Sequence, residues 1–129
     1  DKAMEYYAAA NGAGPEVGAN IGYLQMWMGD YSSAVASYGS TKSYNAALAQ
    51  TLNGDFQAAV QTIDGSSTAS SAESLYLKAI IGARMGDKNM MVSSLKASVA
   101  ANGDMKVKAK KDAEFTKYKN DSEFQAAVN

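Results

Sequence analysis

Cysteine and histidine are both absent from this 129-residue chain. Without cysteine there are no disulfides and no thiolate metal sites, a composition that fits either redox compartment. Without histidine the chain lacks the commonest metal ligand and general base. Proline occurs once, at Pro15, and β-branched runs are few, so helix is the expected state. No stretch approaches the roughly 18 consecutive apolar residues of a membrane-spanning helix, which argues against direct membrane insertion. Charge of one sign is also missing. The formal net charge of −1 offers no global basic field of the kind nucleic-acid binding needs. No cofactor fingerprint or acid/base carboxylate pair stands out, so neither a bound cofactor nor catalysis is expected.

What is present is a repeat. Met28 to Tyr38 reads MGDYSSAVASY, and Asn53 to Ile63 reads NGDFQAAVQTI, nearly matching it position for position. Met85 to Leu95, MGDKNMMVSSL, is a looser third copy. Each copy sets a Gly-Asp pair between two apolar, helix-patterned segments. Glycine can take the left-handed conformation that ends one helix, and the aspartate after it can cap the next. Gly29-Asp30, Gly54-Asp55 and Gly86-Asp87 therefore read as the corners of helix hairpins. The three glycines are spaced 25 and 32 residues apart, within the window of stacked repeat units.

The whole chain, 1–129, reads as a single domain: a half repeat over 1–14, repeats over 15–39, 40–71 and 72–103, and a cap over 104–129. Asp1 to Ala10 resembles the second half of a unit, with Ala3 and Tyr7 at the places of Ala34 and Tyr38. A lone second helix exposes its partner-facing side, so a preceding helix in a longer chain is expected. Asn11 to Gly14 form a turn, and Pro15 suits the first turn of a helix over Glu16 to Met28. Helices are then expected from about Asp30 to Tyr38, Ser43 to Leu52, Asp55 to Ile63, Ala72 to Met85 and Asp87 to Ala101. Asp64 to Ser71, DGSSTASS, is the clearest loop and reads as a connector within the array. From Asp104 the pattern changes to short basic and aromatic pieces. DAEF (Asp112 to Phe115) and DSEF (Asp121 to Phe124) each place a capping aspartate before a helical turn and present one phenylalanine to the last hairpin.

Several short motifs point to chemistry and do not carry it. Ser93-Ser94-Leu95-Lys96 fits S-x-x-K, but its S-D-N and K-T-G companions are missing, so a solvated helix face is the reading. Gly12, Gly14 and Gly18 have the wrong spacing for a dinucleotide loop and no strand before them; they read as a helix connector. Asn120-Asp121-Ser122 is a formal glycosylation sequon in a short capping turn, read as coincidence. Glu73 and Glu114 read as helix-start charges. Lys106, Lys108, Lys110, Lys111, Lys117 and Lys119 make the tail basic. A solvated face is the first reading there, and an acidic partner or anionic surface the second.

Small residues at fixed distances from each corner suggest a family. Gly22, Ala47 and Ala79 each lie seven residues before a corner glycine, Ala34 and Ala59 five after, and Tyr38, Ile63 and Leu95 nine after. This pattern, with Asn20-Ile21-Gly22, resembles the tetratricopeptide repeat from Asp1 to about Ala101, and the tail resembles the cap that follows such arrays. Met91 replaces the expected alanine, Lys78 occupies a usually apolar position, and the first unit is short. An off-register third hairpin is therefore expected. The combination also resembles repeat modules of bacterial envelope proteins, including those attached to OmpA-type domains.

The resemblance implies an all-α, right-handed superhelix of helix hairpins with a C-terminal cap. It further implies a non-catalytic scaffold that receives a peptide or partner protein in a concave groove, in a periplasmic or outer-membrane-associated protein. The alternative is an accessory domain of an enzyme or sensor whose active part lies elsewhere. Tyr23 and Trp27, Tyr44 and Leu48, and Tyr76, Ile80 and Arg84 form i,i+4 stripes on the first helices. By family register these seven residues face the groove, and aromatics and arginine are enriched at binding hot spots. The competing reading is that they only pack one repeat on the next.

Overall fold

The computed structural model describes residues 15–129 of the chain. Their regular secondary structure is all helical: α1 (Pro15–Trp27), α2 (Tyr31–Tyr38), α3 (Tyr44–Leu52), α4 (Phe56–Asp64), α5 (Ala72–Met85), α6 (Lys88–Ala101), α7 (Met105–Lys111), a 3-10 segment (Ala113–Tyr118) and α8 (Ser122–Val128). The half repeat expected over 1–14 and its turn at Asn11 to Gly14 lie outside the described residues.

All three Gly-Asp corners are built alike. Gly29, Gly54 and Gly86 hold φ of 82°, 86° and 76°, a region costly for any residue with a Cβ. At each corner the glycine N–H donates three residues back, and the aspartate N–H donates five residues back. The latter bonds are Asp30 to Gln25 O (2.9 Å), Asp55 to Gln50 O (2.8 Å) and Asp87 to Gly82 O (2.8 Å). This pair of bonds is the Schellman closure, and it satisfies carbonyls that a helix end leaves orphaned. The aspartates differ in their second task. Asp30 accepts from Ser33 N at 3.3 Å and Asp87 from Met90 N at 3.1 Å, whereas the Asp55 carboxylate takes the Asn53 amide at 2.9 Å and caps no helix.

The chain divides between Ser67 and Thr68 into two compact units. The division falls inside the polar stretch 64–71, which the sequence marks as a connector. In the first unit α1 pairs with α2 and α3 with α4, while α2 also packs on α3 and α1 reaches α3. In the second unit α5 and α6 form one hairpin, and the 3-10 segment, α7 and α8 pack onto it.

The repeat positions are the core positions. Ala34, Tyr38, Ala59, Ile63, Met91 and Leu95 are buried, as are Ala47 and Ala79. Gly22 is buried too, and a Cβ there would stand 2.8 Å from the Tyr38 ring and 3.2 Å from Ala34 O. Gly18 is the same device one turn earlier: its Cβ would meet Ser37 O at 2.8 Å. It lies within α1 rather than in a connector. In the third hairpin the tight place moves. A Cβ on Gly82 would stand 2.6 Å from Met91 N, so glycine four residues before the corner lets the backbones approach where methionine replaces alanine.

The tail contains a helix that its sequence hides. Only Met105 and Ala109 of α7 are buried, one turn apart, and the positions between them are lysine, valine and lysine. Lys119 Nζ donates to Ala109 O (2.9 Å) and Lys110 O (2.6 Å), closing the helix's carbonyl end. Both capping aspartates behave as their motifs imply: Asp112 accepts from Glu114 N at 3.0 Å, and Asp121 from Glu123 N and Phe124 N at 2.9 and 3.1 Å. Phe115 and Phe124 are buried together, ring centroids 5.5 Å apart, with Tyr76, Val92 and Leu95 in the same cluster.

Two stability predictions follow from this packing. Gly22→Leu is expected to cost about 1–3 kcal/mol, because the added side chain must displace the buried Tyr38 ring; an unchanged melting temperature would refute the close contact. Deleting Asp112 to Asn129 removes two buried phenylalanines worth roughly 1.5–3 kcal/mol apiece. The truncated protein is expected to melt earlier and to self-associate in sedimentation, through the apolar surface left on α5 and α6.

Candidate functional site

The seven stripe residues meet different fates in the two units. In the first unit Tyr23 is 43% exposed and Trp27 74% exposed. Their rings meet edge to face at 6.2 Å, as i,i+4 neighbours on a helix can. Tyr44 and Leu48 are half-buried, and Leu48 packs against the core of Met26, Ala34, Tyr38, Ala46 and Ala49. Between α1, α2 and α3 an open pocket of about 380 Å³ is lined by Tyr23, Met26, Trp27, Tyr31, Asn45 and Leu48. Met28 adds a further exposed apolar side chain beside Trp27.

Nothing in the stripe pattern singles out Tyr31 or Asn45. Tyr31 opens α2 directly after its capping aspartate, and Asn45 follows Tyr44 in the first turn of α3. A signal was available for Tyr31. An aromatic at the first position of a second helix sits beside the last turn of the first helix when the corner is this tight.

In the second unit the chain's own tail engages the matching residues. Tyr76 is 2% exposed, its hydroxyl donates to Asp112 Oδ2 at 2.6 Å, and Phe115 meets its ring edge-on at 5.7 Å. Lys108 Nζ lies 4.7 Å from the same ring's centre. Ile80 packs against the cluster that holds Phe115. Arg84 makes a forked pair with Glu114, Nε to Oε1 at 2.9 Å and Nη2 to Oε2 at 2.6 Å. Tyr76, Ile80 and Arg84 thus hold the cap down within this unit, and Glu114 is a partner for arginine as well as a helix-start charge.

Electrostatics follow the same division. Burial first, then the Asp112 hydrogen bond and the charges of Asp112 and Glu114, push the Tyr76 phenol far above its ordinary range. A phenol raised on folding contributes stability that is complete below the ordinary phenol range and is lost as the pH climbs through and above it. Burial also raises Tyr38, with Tyr23 a second cause. Lys88 bridges Asp121 at 2.6 Å and Glu123 at 3.3 Å; the hydrogen bond from Lys88 is the main cause that lowers the Asp121 carboxyl.

Among the described residues no group of three or more His, Cys, Asp or Glu is placed to hold a metal ion. No helix among them is long and apolar enough to cross a membrane. What the geometry defines is an all-helical, repeat-like fold with one open aromatic pocket in its first unit. Comparison with family models, curated proteins and solved structures finds no match to this chain.

Trp27→Ala is expected to leave stability within about 1 kcal/mol, because an exposed side chain gives up little burial. Tyr76→Ala should cost roughly 3–5 kcal/mol as a buried aromatic truncation. Thermal melts of the two variants check the contrast, and a large loss in Trp27→Ala would place that ring in the core.

Proposed function

We propose that this chain is a non-catalytic protein–protein interaction scaffold of the tetratricopeptide type. On this reading its hairpins continue a right-handed superhelix, and the first unit receives a peptide or partner protein at Tyr23, Trp27, Tyr44 and Leu48. The tetratricopeptide resemblance also points to a larger bacterial envelope protein, periplasmic or associated with the outer membrane through an OmpA-type partner domain.

One observation carries the proposal. Trp27 stands 74% exposed at the rim of a pocket that Tyr23, Tyr31 and Leu48 also line. Folding alone gives no reason to leave the chain's single tryptophan in water, while tryptophan and tyrosine head the residues that dominate binding energy. The closely repeated corners supply the rigid frame that such a surface needs.

The test is a matched pair of affinity captures from a bacterial envelope extract, one with the wild-type chain and one with Trp27→Ala. A protein retained by the first and lost from the second, followed by a direct titration that costs about 2 kcal/mol or more on the substitution, supports the reading. Equal capture by both would remove Trp27 from any binding surface.

A further inference from the structure

The chemistry of the pocket indicates the partner. We infer that the pocket formed by Tyr23, Trp27 and Tyr31 receives a cationic side chain, and that its partner is a lysine- or arginine-rich peptide segment. This inference rests on the scaffold reading above and names the class of partner.

Three aromatic side chains line one pocket with Asn45 beside them, and none of the described lining residues is charged. An aromatic face attracts a cation through its quadrupole, and tryptophan is the strongest of the three ring types. The net charge of the surrounding stretch has the matching sign. Residues 15–67 carry Glu16, Asp30, Asp55 and Asp64 against the single cation Lys42. The stem of Lys42 lies against Gly65, at the end of α4. The partner is therefore argued from charge complementarity as well as from ring chemistry.

The second unit displays the same chemistry satisfied within the chain. There lysines are plentiful, and Lys108, Lys117 and Lys119 stand over the rings of Tyr76, Tyr118 and Phe124 at 4.7, 5.8 and 5.6 Å. No described cation stands over Tyr23, Trp27 or Tyr31. Among the described residues of the first unit, these ring faces thus have no cation of their own. The acidic balance of this stretch disfavours an acidic peptide, and a purely apolar one gains nothing from the ring quadrupoles.

The experiment uses the full chain and three fluorescein-labelled synthetic peptides of identical length. One has lysine at alternate positions, the second glutamine in those places, and the third glutamate. Binding is read by anisotropy and, for the wild type, by the emission of Trp27, the only tryptophan present. The lysine peptide is expected to bind about tenfold tighter than the glutamine peptide, and Trp27→Ala to weaken it about tenfold, with Trp27→Phe between. Raising salt from about 50 to about 300 mM should weaken it several-fold, since part of the attraction is screened.

Equal binding of all three peptides, or tighter binding of the glutamate peptide, overturns the cationic assignment; if that binding still depends on Trp27, the scaffold reading survives. Lysine-peptide binding that Trp27→Ala leaves unchanged also overturns it, because the attraction would then come from the unit's net charge. If no peptide binds, the cationic assignment falls, while the scaffold reading stands or falls with the envelope captures. Thermal melts of the two Trp27 variants, unchanged from wild type, keep these outcomes free of folding effects.

Discussion

The fold depends on one backbone constraint used three times. A residue must hold positive φ so that the following N–H can reach back five residues and close the helix. Only glycine does so without a steric penalty. Gly29, Gly54 and Gly86 meet that need, and the aspartate after each begins the next helix within a single residue. A corner this short leaves the two helices nowhere to go except against each other. The small residues at the crossings and the large ones beyond them follow from that proximity. Asp55 separates the two jobs: its N–H closes the corner while its side chain caps nothing, so the closure defines the corner more than the cap does.

Volume is balanced at the crossings rather than held constant at each position. Where the first helix carries glycine, at Gly22, the second carries tyrosine, and the Tyr38 ring occupies the space a Cβ would take. Where the first helix carries alanine, at Ala47 and Ala79, the matching residues are Ile63 and Leu95. Close packing explains this, since an interior at crystal-like density tolerates neither the void nor the overlap that an uncompensated change would leave. The third hairpin applies the rule elsewhere along the helix, with Gly82 making room for the backbone at Met91.

Much of the fold was legible because the corners announce themselves. The helix spans from α1 to α6 fall within a residue or so of those read from periodicity and capping, and Ala72–Met85 agrees at both ends. The short helix Met105–Lys111 was not legible. Its buried side is two residues, Met105 and Ala109, and a Lys-rich run with so small an apolar face reads only as a solvated face. The division between Ser67 and Thr68 was visible as a polar loop but not as a boundary between compact units, because sequence similarity resumes after it. For the candidate site, i,i+4 spacing picked out a helix face without saying what covers it. Tyr23 and Tyr76 lie in similar patterns, one half open and one buried, because only the α5–α6 hairpin is covered by Asp112, Glu114 and Phe115.

That difference gives the net charge of −1 a meaning it lacks as a total. Ten lysines and arginines against seven acids fall in residues 68–129, and the balance reverses before them. The positive excess is partly consumed where it lies: Arg84 on Glu114, Lys88 on Asp121 and Glu123, and three lysines over aromatic rings. Those contacts fasten a short basic tail that has little apolar surface of its own beyond two phenylalanines and a few smaller residues. Cations and rings are therefore structural in one unit. In the other, the same ring chemistry is left facing solvent with almost no cation at hand. A neutral sum over two oppositely charged units excludes a basic field over the whole chain, but it does not exclude charge-selective recognition by either part.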